Sequence, residues 1–495
     1  MPRRSVESLI ALDIDQSAAD PLHRQVYAGI RDAILSGRLA PGGLLPSTRT
    51  LARDLALSRN TVMTAYELLA SEGYTESRGG SATRVSSVLP DDLLNAEPLP
   101  ESAGHESKLP PISDLAERMG PMDRERFNRQ PLPFLPGVPD LDSFPFKLWA
   151  RLIARFWRHP PAELLIGGDP AGYLPLRRAI ADYLKAVRAL DCDAGQVIIT
   201  TGAQQALALA VRAILNPGDE IWVENPGYPG FRQALSSIGA RPVSVAVDDE
   251  GLSVDDGRRT APDARAAIVT PSHHYPLGIT MSLSRRLTLL DWAGENNAWI
   301  IEDDYDSEFR YGGRPLSALQ GLDRGERVVY VGTLSKITMP ALRIGYLVVP
   351  PRLVDPILTL RRSIDDFPSI ALQPALAAFI EEGHFAGHVR RMRQTYAERR
   401  DAMNVALERH LGGLFKDAPL DAGLHVCVRL SDRLLARMDD RTAQQRATEQ
   451  GVACSTLSAF CYPPAADQGL VLGYAGYTPG AINHAAAKLA AALDD

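Results

Sequence analysis

"VYVGTLSKITMPALRIGYLVV" runs from Val329 to Val349, and its reading decides the architecture of most of the chain. Val328 to Val331 have the composition of a buried strand, Gly332 to Ser335 form a short loop, and Ile344 to Val349 begin a second apolar run. Between the runs stands Lys336, one of only six lysines among 53 lysines and arginines. Arginine keeps its proton near neutral pH, whereas lysine can lose it, and a neutral primary amine attacks carbonyls. Two readings stand open on this segment alone: a solvated lysine after a strand, or an amine placed for chemistry.

Outward from this stretch, short apolar runs alternate with amphipathic ones. "QVIITTGAQQALALAVRAIL" (196–215), "DEIWVENPG" (219–227), "AAIVTPSHHYPLG" (266–278) and "AWIIEDDYD" (298–306) repeat the pattern. It predicts an α/β domain with a mostly parallel sheet over 131–495. The strand ends carry unusual residues. Gly202, Ala203 and Gln204 open a helix, where free N–H groups and the helix dipole can hold a phosphate. Tyr228 offers an aromatic face on which a flat ring could stack, or simple packing. Glu302, Asp303, Asp304 and Asp306 crowd the end of a core strand, which is costly unless they have partners; some are expected in a solvated loop. Asp303 and Tyr305 are two apart, so in extended chain both point to one side. Arg343 is suited to clamp a phosphate.

The front of the chain reads differently. Leu22, Val26, Ile30 and Ile34 share a helical face that Gly37 closes. Ser47 and Ser58 are N-cap signals for two short helices, which together make a helix-turn-helix. The second of them would expose Arg59, Asn60, Thr61 and Thr64 where such proteins meet base edges. "YTESRGGSATRV" reads as a hairpin wing around Gly79-Gly80. Residues 1–86 thus form a DNA-reading domain, and 87–130, rich in Pro, Glu, Ser and Asp, a linker. This front piece holds ten arginines against nine acids, and the whole chain carries −7. DNA binding must therefore rest on local placement of arginines rather than on bulk charge. No run is apolar and long enough for a membrane span, and the basic N-terminus lacks a signal-peptide core. Cys192, Cys427, Cys454 and Cys461 have no metal-ligand spacing, so no metal is expected, and a reducing cytoplasm fits.

The motifs Asp303-x-Tyr305 and Ser335-Lys336-x6-Arg343-x-Gly345-Tyr346 resemble those of fold-type I, class I aminotransferases. The resemblance implies pyridoxal 5′-phosphate as cofactor, joined to Lys336 as a Schiff base. It also implies that Asp303 pairs with the ring nitrogen and Tyr305 with the ring oxygen. Gly202, Ala203, Gln204, Ser335 and Arg343 would hold the phosphate, and Tyr228 would stack on the ring. Residues 21–74 resemble the GntR-type winged helix. Both together, with "EDDYDSEFRY" and "PSHHYPLG", resemble the MocR-type transcriptional regulators. That resemblance implies a homodimer on operator DNA, with Ser47, Arg49, Ser58, Arg59, Thr61 and Tyr66 on the DNA side. Ser47 and Ser58 also serve as caps, and Tyr66 can equally be core.

The chain departs from the aminotransferase pattern in three places. The C-terminal arginine that clamps a substrate carboxylate is replaced by Leu470-Val471-Leu472. The asparagine beside the ring oxygen becomes Tyr275, with His273 and His274 preceding it as cofactor or effector contacts or as plain loop residues. Gly230 stands where a GABA-responsive member has arginine, so that ligand is not carried over. The effector is then either an amine or amino acid held by other arginines, such as Arg310 or Arg314, of this or a neighbouring subunit, or pyridoxal phosphate itself. The missing clamp favours the latter. An active aminotransferase with a DNA-binding appendage is the alternative expectation.

Overall fold

A computed structural model describes residues 12–76, 82–89, 110–119, 132–312, 317–416, 422–463 and 467–494. The chain divides into two compact units, Met1–Pro110 and Pro111–Asp495.

In the first unit α1 (Leu22–Leu35), α2 (Thr48–Asp54) and α3 (Arg59–Ser71) pack around one core. Val26, Ile30 and Ile34 of α1 meet Leu51 of α2 and Val62, Ala65 and Leu69 of α3. The helix starts are set by serine. The Ser47 hydroxyl accepts from the Thr50 N–H and that of Ser58 from the Thr61 N–H, each satisfying a backbone donor the helix leaves open. Gly37 and Gly73 follow their helices at φ +74° and +84°, a conformation glycine adopts without strain. β1 (Thr75–Glu76) and β2 (Arg84–Val85) pair antiparallel beyond α3, as a wing requires. The wing tip at Gly79-Gly80 lies outside the described residues, as does most of the expected linker. A six-residue helix forms at Asp114–Met119 within it.

The second unit is built on eight strands: β3 (Val197–Thr200), β4 (Glu220–Asn225), β5 (Arg241–Asp248), β6 (Gly251–Leu252), β7 (Ala266–Val269), β8 (Trp299–Asp304), β9 (Val328–Thr333) and β10 (Gly345–Val348). Their order is β3-β10-β9-β8-β7-β4-β5-β6. β5, β4, β7, β8 and β9 run parallel, whereas β10 lies antiparallel between β9 and β3. The central strands are buried on both faces, which explains why they read as unbroken apolar runs rather than alternations. A smaller antiparallel sheet, β11 (His425–Arg429), β13 (Gly469–Gly473) and β12 (Ser455–Thr456), follows near the C-terminus.

This topology places the chemistry. β3, β4, β7, β8 and β9 all point the same way, so Gly202, Tyr228, Thr270, Asp303 and Lys336 converge just past one edge of the sheet. In open α/β sheets that carboxyl edge is where ligands bind. The reversed β10 brings Arg343 and Gly345 to the same edge from the opposite direction. Gly345 has to be glycine: a Cβ there would lie 2.7 Å from the Gly202 carbonyl carbon and 2.9 Å from the Ala203 nitrogen.

Candidate cofactor site and DNA-reading face

A cavity of about 270 Å³ opens at this edge. Its walls include Ala203, Gln204, Tyr228, Tyr275, Asp303, Tyr305, Ser335, Lys336 and Arg343. Of the ten residues expected around a cofactor, nine line this space; Gly202 lies directly behind it, against Arg343.

One end suits a phosphate. The helix Ala203–Ile214 begins at Gly202, φ +111°, with no side-chain cap. Its first N–H groups are therefore open to an anion, and the helix dipole favours one there. A Cβ on Gly202 would lie 2.9 Å from an Arg343 terminal nitrogen, so the guanidinium lies against the glycine. The Ser335 hydroxyl is buried without a hydrogen-bond partner. Buried polar atoms are almost always satisfied, so an unsatisfied hydroxyl beside open N–H groups and a guanidinium marks a place for an oxyanion.

The floor of the cavity holds a second unsatisfied atom. Glu302, Asp303, Asp304, Asp306 and Glu308 are all buried, which corrects the expectation that some lie in a solvated loop. Four of the five are matched by partners. Glu302 accepts from the Leu319 and Gln320 N–H groups. Asp304 meets Arg188 at 2.8 Å and accepts from the Tyr330 and Ser307 hydroxyls. Asp306 pairs with His273, and Glu308 accepts from the Tyr183 hydroxyl. Asp303 differs: its Oδ1 is buried with no hydrogen-bond donor. Burial, and then its acidic neighbours Asp304, Glu224 and Asp306, push its carboxyl up to about 8. Such a group is stabilised by a cation with an N–H, and a protonated pyridine nitrogen has both.

The Lys336 amine donates to the Gly137 carbonyl at 3.0 Å. A Cβ on Gly137 would lie 2.6 Å from that nitrogen, so this segment closes tightly over it. The aromatic wall is a chain of edge contacts: Tyr275 meets Tyr228 at 6.1 Å, Tyr305 at 5.7 Å and His425 at 5.0 Å between ring centroids. A side chain on Gly230 would run into the Tyr228 ring and the Gln204 amide, which accounts for the glycine there. The residues present fit pyridoxal phosphate: an oxyanion cradle, an unpaired carboxylate, an aromatic wall and a primary amine share one cavity.

Several wall residues carry little signal in the sequence. His425 comes from β11 and donates to the Pro276 carbonyl; burial drives its imidazole down to about 3, so it is neutral. Thr270, Thr333, Pro136, Gly137, Pro340 and Leu424 complete the lining. Thr270 is fixed by buried Glu224, which accepts from its N–H and its hydroxyl. A polar residue within an otherwise apolar strand is the only sequence signal here, and only Thr333 in β9 and His425 in β11 carry it. His273 and His274 lie behind the wall rather than in it; burial takes His274 down to about 3. Leu470, Val471 and Leu472 are buried in β13 and bring no cation. Arg310 spends its guanidinium on the Gly312 carbonyl and the Thr280 hydroxyl and does not line the cavity. Arg314 lies outside the described residues.

In the first unit Ser47, Arg49, Ser58 and Arg59 are exposed and Thr61 half-buried, gathered at the starts of α2 and α3. Arg59 reaches back to the Thr48 hydroxyl at 3.5 Å. Tyr66 is not brought to this face. It is 6% exposed, sits in the core, and donates to the Pro46 carbonyl at 2.9 Å.

Comparison with known proteins agrees with both halves. Residues 140–489 match the family "Aminotransferase class I and II", and residues 22–85 match "Bacterial regulatory proteins, gntR family". The chain is 42% identical to the probable rhizopine catabolism regulatory protein MocR of Rhizobium meliloti, over 94% of this chain and 93% of that one. It is 31% identical to the pyridoxine biosynthesis transcriptional regulator PdxR of Corynebacterium glutamicum, over 98% of each. Among solved structures, Pyrococcus horikoshii kynurenine aminotransferase superposes with a TM-score of 0.71 at 27% identity, covering 77% of this chain and 96% of that one.

Proposed function

This chain belongs to the MocR-type transcriptional regulators, a GntR-family DNA-binding domain joined to a class I and II aminotransferase domain, and we propose from that premise how its cavity serves regulation. The protein is a pyridoxal-phosphate-dependent, DNA-binding regulator. In our reading Lys336 is its anchor, and the unpaired Asp303 oxygen in the cavity floor is the observation that carries the assignment. Pyridoxal phosphate supplies, when bound, an aldehyde that a primary amine captures and a ring that accepts electrons. Gly202, Ala203, Gln204, Ser335 and Arg343 would hold its phosphate, Asp303 its ring nitrogen and Tyr305 its ring oxygen. Tyr228 would stack on the ring, and Tyr275 would stand near its oxygen.

The described lining offers two cations, Lys336 and Arg343. The first is assigned to the aldehyde and the second to the phosphate, so among the described residues of this chain no cation in the lining is left for a carboxylate. A bidentate arginine is the natural carboxylate clamp, and its absence argues for a ligand without one. The effector is thus pyridoxal phosphate itself, or an amine that lacks a carboxylate. We further assign a homodimer in the cytoplasm. One near-neutral winged helix binds DNA weakly, and helix-turn-helix proteins commonly read two half-sites.

The test uses the full chain and a labelled operator fragment. Operator affinity measured with and without pyridoxal phosphate should differ, because a ligand switches a protein only by binding its states unequally. Lys336→Ala should abolish the difference while still binding DNA. Identical affinity in both conditions would refute the sensor reading. Rapid exchange of amino groups between amino and keto acids would instead establish the alternative, an active aminotransferase.

A further inference from the structure

The His273 ring stands one layer behind the cavity, and its surroundings are more constrained than a loop residue needs. Its Nδ1 lies 3.1 and 3.0 Å from the two Asp306 oxygens and 3.0 Å from the Tyr305 hydroxyl. The ring is 3% exposed and Asp306 1%. Gly423, from the far end of the chain, closes on it: φ is +84° there, and any Cβ would run into the imidazole.

Three oxygens around one nitrogen leave little freedom. An imidazole nitrogen either carries a proton or offers one lone pair. An ionised Asp306 only accepts, so it holds the proton on Nδ1. Protonated Nδ1 has no lone pair left for the Tyr305 hydroxyl. The Tyr305 oxygen then takes a share of that N–H, and its own proton must turn away, toward the cavity that Tyr305 lines.

We propose that His273 is a positioning residue: with Asp306 it fixes a proton on Nδ1 and so turns the Tyr305 hydroxyl to donate into the cavity. This rests on the cofactor reading above, in which Tyr305 faces the ring oxygen. The pair decides whether that oxygen meets a donor or an idle lone pair. Other charged and titratable groups face the cluster and are the same in every variant compared. Asp303, Glu224 and Tyr275 face Tyr305, and Asp304 and Lys336 face Asp306. His425 lies 5.4 Å from His273 between ring centroids, His274 adjoins it, and Arg188 and Arg310 border the same pocket.

A donor stabilises the ring oxygen most when that oxygen carries full negative charge, at high pH. It therefore lowers the pH midpoint of the visible absorbance change of protein loaded with pyridoxal phosphate. Losing it should raise the midpoint by about one unit, the size expected for one hydrogen bond to a charged group. The test titrates absorbance in wild type, Tyr305→Phe, Asp306→Asn, His273→Leu and His273→Asn. Melting temperature and retained cofactor qualify each variant. Asp306→Asn and His273→Leu should shift toward Tyr305→Phe, and Asp306→Asn added to Tyr305→Phe should shift no further. His273→Asn keeps an N–H near the Nδ1 position and should stay near wild type. Should Asp306→Asn fail to fold, the His273 pair alone decides. Unchanged midpoints, or shifts that add fully to that of Tyr305→Phe, overturn the proposal. A wild-type protein that takes up no cofactor overturns the underlying reading and this inference with it.

Discussion

Asp303→Asn should make the cofactor-free protein more stable while destroying its use for the cofactor. The Asp303 carboxyl is buried, has an oxygen with no donor, and titrates at about 8 instead of 3.8. In the unfolded chain it ionises near 3.8. Between these values the folded protein binds the extra proton, so stability falls as pH rises from about 4 to about 8 and levels off above. At about 1.4 kcal/mol per unit, the site costs roughly 2 kcal/mol at pH 5.5 and up to ~6 kcal/mol at pH 8.5. Asparagine has nearly the same shape and no charge, so it removes that cost. Thermal unfolding followed by circular dichroism should show the variant melting above wild type, by a margin that grows from pH 5.5 to pH 8.5. Saturating pyridoxal phosphate should stabilise wild type and leave the variant nearly unmoved. A variant that melts no higher than wild type at pH 8.5, or gains equally at both pH values, refutes the claim that Asp303 is an unpaired buried carboxylate awaiting a cation.

Three further outcomes are expected. Arg59→Ala should weaken operator binding by roughly 1–3 kcal/mol, about fivefold to 150-fold by fluorescence anisotropy, with the cofactor absorbance intact; normal affinity would remove α3 from the base-reading role. Gly202→Ala puts a Cβ 2.9 Å from the Arg343 guanidinium at φ +111°, so the pyridoxal phosphate needed for half-saturation should rise at least about tenfold in an absorbance titration. Simple amines should bleach the visible band of the loaded protein at lower concentration than α-amino acids of similar size; the reverse order would point to a carboxylate clamp that the described cavity lacks.

What could be read from the residues was local. The strand before Lys336, the alternation of Asp303 and Tyr305 and the serine caps of α2 and α3 depend on neighbours within a few positions. What could not be read was supplied from afar. Arg188 reaches Asp304 across 116 positions and Gly137 meets Lys336 across 199, so neither the burial of the acid cluster nor the seat of the amine is written nearby. His425 enters the cavity only because the small C-terminal sheet packs against the 266–278 segment. Tyr66 shows the limit in the other direction: its position on α3 allows either face, and packing against Pro46 sends it inward.

The amine of residue 336 is the centre of the proposed sensor. Borohydride reduction of protein loaded with pyridoxal phosphate, followed by peptide mass mapping, tests it most directly. One stable phosphopyridoxyl adduct is expected, on the peptide that contains Lys336, with none in Lys336→Ala. An adduct confined to other lysines, or none at all, would contradict it.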